Sequence, residues 1–499
     1  MPKNQEFIEL INTGYSTKGD SITLGAAMLG DETITNAFVK IPLKTINRHG
    51  LIAGATGTGK TKTLQVFAEN LSDNGVPVLL MDVKGDLSGL AKPSPGHKKI
   101  DERHEKIGLP FTPNGFPVEI LTISEQKGTR LRATVSEFGP TLLSRILDLT
   151  DTQSGIVAIL FQYCDDNKLP LLDLKDFKKV LQFSTQEGKK ELEESYGKIS
   201  TVSTGSILRK IVELEQQGAE LFFGERSFEV EDLTRIDDNG RGIISILRLT
   251  DIQDKPKLFS TFMLQLLAEI YNTFPEQGDS DRPELVLFID EAHLVFDNAS
   301  KTLLNQIESI IKLIRSKGIG VYFVTQNPKD VPSDVLSQLG LKIQHALRAF
   351  TARDRKAIKL AAENYPDSDY YDTSTVLTEL GIGEALVSAL SEKGKPTPLA
   401  KTMLRAPMSR MDILNENELK ELRNSSKISA KYNEEIDSES AYEILNLKIE
   451  KANKEQEKKK KQSYKKPTRK STRMNPVVKM VTSATFIRGV FGILNKVLR

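Results

Sequence analysis

Cysteine, long apolar runs and net charge are all scarce in this chain of 499 residues. A single cysteine, Cys164, excludes an internal disulfide and fits a reducing compartment. No uninterrupted apolar run approaches the roughly 18 residues that a membrane-spanning helix needs, so no such helix is expected. The opening MPKNQEFIELINTGYSTKGD lacks the basic-then-apolar layout of a secretory signal. Together these absences predict a cytoplasmic protein. Apolar residues make up 38% and charged residues 27%, which suits a globular core with some solvated segments.

The near-balance of charge hides an asymmetry. Residues 454–499 carry 14 Lys and Arg against two Glu, a net of +12, so a whole-chain charge of +2 leaves −10 on residues 1–453. An acidic body with a basic tail is not the footprint of a protein coated in nucleic-acid contacts. Any grip on a polyanion then falls to the tail or to local patches such as a pore lining.

What is present begins at GLIAGATGTGKT, residues 50–61. The spacing is G-x-x-x-x-G-K-T, from Gly54 through Ala55, Thr56, Gly57, Thr58 and Gly59 to Lys60 and Thr61. A short apolar strand precedes it, and a helix follows with Leu64, Phe67, Ala68 and Leu71 on one face and Gly75 as its stop. Strand, glycine loop and helix are the context that predicts a phosphate-binding loop. Glycines let backbone N–H groups converge on phosphate oxygens at the positive end of the helix dipole. Lys60 is expected to bridge the β- and γ-phosphates of ATP, Thr61 to hold Mg2+, and Thr63 to line the same site.

The run LVLFIDE (285–291) supplies the second half of a hydrolytic site. It places Asp290 at the end of a buried strand, where it can hold Mg2+ beside Thr61. Glu291 follows, placed to polarise an attacking water, which a kinase has no use for. The tetrapeptide DEAH at 290–293 invites a DEAH-box reading. The second ATPase domain and late arginine-rich motif of those helicases are not found, so His293 is read as structural. A further strand ends at Gln326, a polar tip able to orient water or sense γ-phosphate. Arg315 closes an amphipathic helix with Leu303, Ile307, Ile310, Ile311 and Ile314 on its apolar face.

Strands alternate with helices along most of the chain, which predicts an α/β fold with a mostly parallel sheet covered on both faces. The segments are expected as a short strand region at 1–45, a first core part at 46–136, a helical insertion at 137–235 and a second core part at 236–404. A charged low-complexity linker is expected over 405–483, with residues 92–117 read as a loop. Residues 484–499, ATFIRGVFGILNKVLR, read as a basic amphipathic helix. Phe486, Ile487, Val490, Phe491, Ile493, Leu494, Val497 and Leu498 share one half of its wheel, with Arg488, Lys496 and Arg499 opposite. Such a helix can dock on its own chain or a sister subunit, on a protein partner, or peripherally on an anionic membrane.

The strings RHGLIAGATGTGKT, VPVLLMDVKGDLSG, VLFIDEAH and IRSKGIGVYFVTQNP together resemble the HerA/FtsK superfamily of ring ATPases, nearest a bacterial HerA-like branch, over about residues 20–400. The resemblance implies a RecA-like core in a homo-hexamer, with Mg2+ and ATP at subunit junctions. It puts Lys60 and Thr61 at the Walker A positions, Asp290 and Glu291 at Walker B and Gln326 at the sensor position. Arg315 falls where such proteins carry an arginine finger for the neighbouring subunit. Asp82 matches a family acid near the metal, and Arg48 a basic residue before the loop. HerA itself begins with a β-barrel that docks a nuclease, and about 45 residues ahead of the loop strand cannot make one; FtsK's membrane spans and winged helix are not visible either. The implied function is a translocase on double-stranded DNA. The alternative is an ATP-gated assembly, secretion or conjugation-type switch acting on a protein partner through the tail.

Overall fold

The computed structural model describes residues 2–463 other than 279, 297–300, 350, 435 and 437. Helix α1 (Pro2–Gly14) precedes a hairpin of β1 (Ser21–Leu29) and β2 (Glu32–Pro42). Alternation then sets in with β3 (Gly50–Ala53), α2 (Lys60–Asp73), β4 (Val78–Asp82), α3 (Lys98–Ile107), β5 (Val118–Thr122) and β6 (Thr129–Arg130). A helical stretch follows, with α4 (Val135–Ile146), α5 (Asp151–Asn167), α6 (Leu174–Thr185), α7 (Lys189–Tyr196) and α8 (Thr201–Gln216). Next come β7 (Ile244–Arg248), α9 (Pro256–Thr273), β8 (Leu285–Ile289), α10 (His293–Phe296), α11 (Lys301–Ile314) and β9 (Ile319–Thr325). Strands β10 (Leu341–Gln344), β11 (Glu384–Ser388) and β12 (Ala400–Leu404) complete the sheet.

The strands form one sheet in the order β2-β1-β12-β11-β10-β3-β9-β8-β4-β7-β5-β6. From β10 to β6 every neighbouring pair is parallel, and the remaining four strands extend the sheet antiparallel. The expected α/β class with a mostly parallel sheet is what the chain adopts. Strands β3, β4, β8 and β9 are buried along their whole length, as continuous apolar runs must be when helices cover both faces.

Helix α2 buries Leu64, Phe67, Ala68 and Leu71 against that sheet. The Phe67 ring lies 6.2 Å from Phe288 on β8 and 5.7 Å from Tyr322 on β9. The helix that begins at the glycine loop is thereby fixed on β8 and β9. Truncating Phe67, fully buried, to Ala would cost about 3–5 kcal/mol.

Three stretches differ from expectation. Residues 1–45 carry α1 as well as strands, because Phe7 and Ile11, one turn apart, bury completely. Four apolar residues within one five-residue stretch, Phe7, Ile8, Leu10 and Ile11, mark that helix in an otherwise polar sequence. Within the expected loop 92–117, α3 forms with His97 accepting from the Lys99 N–H as N-cap and Gly108 in a left-handed C-cap. The segment expected as a linker from 405 packs as far as Leu445. Leu414, Leu419, Tyr432, Ala441 and Leu445 are all buried, and the Tyr432 hydroxyl bonds Asp232 at 2.5 Å. Widely spaced anchors of this kind vanish in a composition average. Residues 1–445 form one compact unit; a second begins at Asn446 and is helical to Ser463. The amphipathic helix expected over 484–499 lies outside the described residues.

Candidate active site

Between β3 and α2 the chain turns through Gly54, Gly57 and Gly59 at φ of 153°, 77° and 116°, conformations that side chains rarely allow. A Cβ on Gly54 would sit 2.5 Å from that of His345, so the loop also needs glycine for space. Backbone bonds pin it to its neighbours. Gly54 N–H donates to Thr325 on β9 at 3.2 Å, Ala55 N–H to Ala346 after β10 at 2.9 Å, and Gly383 N–H to the Thr58 carbonyl at 3.0 Å. The Thr58 hydroxyl donates back to Ala55 at 2.7 Å.

Lys60, nearly buried, donates from Nζ to the carbonyls of Gly54 at 2.6 Å and Ala55 at 3.1 Å. Burial lowers its pKa and Lys84 adds to that, while Glu291 and Asp290 oppose. The lysine therefore feels both strand-end carboxylates. Thr61 is half-buried in the first turn of α2, and Thr63 Oγ1 meets His345 Nε2 at 2.9 Å. Burial drives His345 down to about 4, so the ring is neutral.

Asp290 and Glu291 follow β8 directly and are 4% and 6% exposed. Burial pushes the Asp290 carboxyl up to about 7 against the pull of Lys84. Glu291 stands at φ 49°, a strained value for a residue with a side chain. Its Oε1 lies 2.5 Å from Lys84 Nζ, and Asp290 Oδ2 lies 3.8 Å from the same nitrogen. Its Oε2 comes within 3.3 Å of His293 Nδ1 without hydrogen-bond geometry and is a buried acceptor lacking a hydrogen bond. His293, read from sequence as structural, thus borders the Glu291 carboxylate.

Sheet order explains the assembly. Strand β9 runs between β3 and β8, so its tip stands between the glycine loop and the acid pair. Gln326 is at that tip, and Thr56 Oγ1 lies 3.4 Å from its Oε1. Loop, acid pair and Gln326 come together as expected from their positions along the chain.

Three residues do not join them. Asp82 ends β4 but turns its carboxylate onto the following bend, accepting from Gly85 N–H at 2.7 Å, Asp86 at 3.2 Å and Leu87 at 3.3 Å. It shapes the turn that carries Lys84 rather than facing the loop. Arg48 precedes β3 and Arg315 precedes β9, so both lie at the opposite end of the parallel strands from Gly54 and Gln326. At about 3.3 Å per residue that separates them from their own loop by roughly 20 Å. They line one cleft of about 630 Å³ there, with Lys44, Lys312, Glu276 and Glu392.

Sequence reasoning missed Lys84 and His345. Lys84 lies inside VPVLLMDVKGDLSG, where its spacing from a strand-ending aspartate was the available signal. His345 had no signal beyond its place one residue after β10.

The model of the family described as helicase HerA-like C-terminal matches residues 28–489. The chain is 25% identical over 372 residues to the DNA double-strand break repair helicase HerA of Saccharolobus solfataricus, covering 73% of this chain and 66% of that protein. Its counterpart in Sulfolobus acidocaldarius is 22% identical over 379 residues, with the same coverage of 73% and 66%. The chain thus spans just under two thirds of the length of these relatives. Among solved structures, the plasmid coupling protein TrwB in complex with ADP and Mg2+ superposes with a TM-score of 0.51 at 16% identity, covering 82% of this chain and 95% of that one. That likeness shows a shared fold. Among the described residues no helix is long and apolar enough to cross a membrane.

Proposed function

This chain belongs to the helicase HerA-like C-terminal family, and we propose that it is a Mg2+-dependent ATPase working as a hexameric ring that translocates on double-stranded DNA. The observation that carries the ATPase reading is the meeting of Lys60, the strained Glu291 and Gln326 at one end of the sheet. The relatives named as DNA repair helicases support the choice of DNA, an analogy between proteins that share a family.

The residues fit a nucleotide and its metal. The glycine loop is a cradle that a Cβ at Gly54 would fill, and Glu291 Oε2 is a buried acceptor without a hydrogen bond. Thr61 and Asp290 would hold Mg2+, which supplies charge neutralisation on the phosphate oxygens. Loop N–H groups and Lys60 bind the β- and γ-phosphates. Glu291 takes a proton from the water that attacks the γ-phosphorus, and Gln326 orients that water. ADP and inorganic phosphate leave. Arg315, remote from its own loop, reaches the γ-phosphate held by the adjacent subunit, so a junction between two copies makes one complete site. The ring is the arrangement in which every copy both gives and receives.

Phosphate release by the full chain with and without duplex DNA, alongside solution mass, tests this. A motor shows turnover stimulated by duplex DNA, lost as salt rises. A second reading, an ATP-gated assembly or conjugation-type ATPase acting on a protein, is favoured by the net −10 on residues 1–453. It requires turnover indifferent to DNA and altered by removing residues 454–499. No phosphate release under any of these conditions removes both.

A further inference from the structure

We propose that the loop 380–383 is the platform for the nucleobase, with the Ile382 side chain as its contact surface and Arg103 holding it in place. The inference rests on the nucleotide-binding reading above and adds where the nucleoside end lies.

Sheet order gives the direction. The γ-phosphate end of a bound nucleotide must face Gln326 and Glu291, which stand at the ends of β9 and β8 on one side of β3. On the other side of β3 come β10 and β11. A triphosphate laid along the loop and the first turn of α2 therefore points its nucleoside toward the β10–β11 flank. That flank is built from His345 against Thr63 and from the 380–383 loop, whose Gly383 N–H bonds the Thr58 carbonyl at 3.0 Å. A Cβ on Gly59 would come within 3.3 Å of the Gly383 nitrogen, so the two loops are in contact.

Ile382 is 70% exposed on this flank. Its loop is nonetheless fixed. Arg103 donates to the carbonyls of Ile382 at 2.9 Å, Gly383 at 3.1 Å and Leu404 at 3.0 Å. Leu404 N–H donates to Gly383 at 3.0 Å, and Gly381 N–H to the Glu384 carboxylate at 3.0 Å. Gly383 itself sits at φ 75°. An aliphatic side chain presented to solvent on a fixed backbone beside the phosphate loop is available to an apolar face. The ligand class that presents one there is a purine ring. A hydrocarbon surface meets the π-face of a base and reads none of its edge atoms, so adenine and guanine are accepted alike.

The test uses the full chain, Mg2+, and three probes: ATP, GTP and inorganic tripolyphosphate. For the unaltered protein, ATP and GTP bind within about threefold of each other and each about tenfold or more tighter than tripolyphosphate. Ile382→Ser weakens both nucleotides about fivefold or more and leaves tripolyphosphate unchanged, while Ile382→Met restores nucleotide affinity. Arg103→Lys, which releases the loop, gives the same selective loss. The platform is overturned if Ile382→Ser leaves all three affinities unchanged, weakens tripolyphosphate as much as the nucleotides, or changes only the solution mass. If the unaltered protein binds tripolyphosphate as tightly as ATP, the platform alone falls. If it binds none of the probes, the phosphate-loop reading falls and takes the platform with it.

Discussion

Lys84 Nζ lies 2.5 Å from one oxygen of Glu291 while the other oxygen, buried, has no hydrogen bond, so the two halves of that carboxylate stand in different surroundings. Burial works against the charge of Lys84, yet Asp290 and Glu291 hold its pKa above the ordinary lysine value. The lysine is the cation that lets two buried carboxylates stand side by side.

Lys84→Met should therefore lower the turnover number by on the order of tenfold to a hundredfold, as a misplaced catalytic group does, with nucleotide affinity little changed. Lys84→Arg, which keeps the charge, should recover part of the loss. Steady-state phosphate release beside equilibrium binding of a fluorescent ATP analogue separates the two effects. Equal turnover in Lys84→Met and the parent would deny the lysine any positioning role.

Binding and cleavage should separate cleanly at the loop and the acid pair. Lys60→Ala is expected to lose nucleotide binding. Glu291→Gln is expected to keep it while turnover drops by roughly 10²–10⁴, the usual cost of removing a general base. Filter binding and phosphate release on the same preparations measure both.

Arg315 is exposed and follows the apolar face of α11, with Ile307, Ile311 and Ile314 buried beneath it. Arg315→Ala should reduce turnover and spare nucleotide binding. In mixtures with unaltered subunits, activity should depart from the straight line that independent sites would give. A linear mixing curve would place the finger elsewhere.

Glu69 on α2 supplies a pH signature. Burial raises its carboxyl from 4.5 to about 7, against the opposing bonds from Ser409 and Met408. A raised folded value means that the native state holds the proton more tightly than the unfolded chain. Its stabilising effect is complete below about pH 4.5 and is lost as pH rises through about 7. Urea unfolding across that window should show a declining stability in the parent and a flatter profile in Glu69→Gln.

The site was legible wherever chemistry fixes spacing along the chain. Gly54 to Thr61 and Asp290 with Glu291 each lie within a few residues, and the strand burial that positions them follows from uninterrupted apolar runs. Gln326 was legible because β9 is a seven-residue buried strand with one polar tip. What failed depended on direction in space. Asp82 and Lys84 are two residues apart, yet the bend at Gly85 sends the aspartate into the turn and the lysine to the acid pair. Arg48 lies close to the loop in sequence and at the far end of a strand in space. Residues 405–445 misled because isolated anchors such as Tyr432 carry a segment whose average composition is polar.

Helix α2 has a second fastening on its outer side. Lys62 Nζ donates to the Met411 carbonyl at 2.5 Å, Gln65 to that of Arg410 at 3.4 Å, and Glu69 receives the Met408 and Ser409 N–H groups at 2.8 and 2.9 Å. Residues 408–411 are thus laced along the helix whose first residue is Lys60. A displacement of residues 408–411 would therefore be felt along α2 and at the phosphate cradle that begins it.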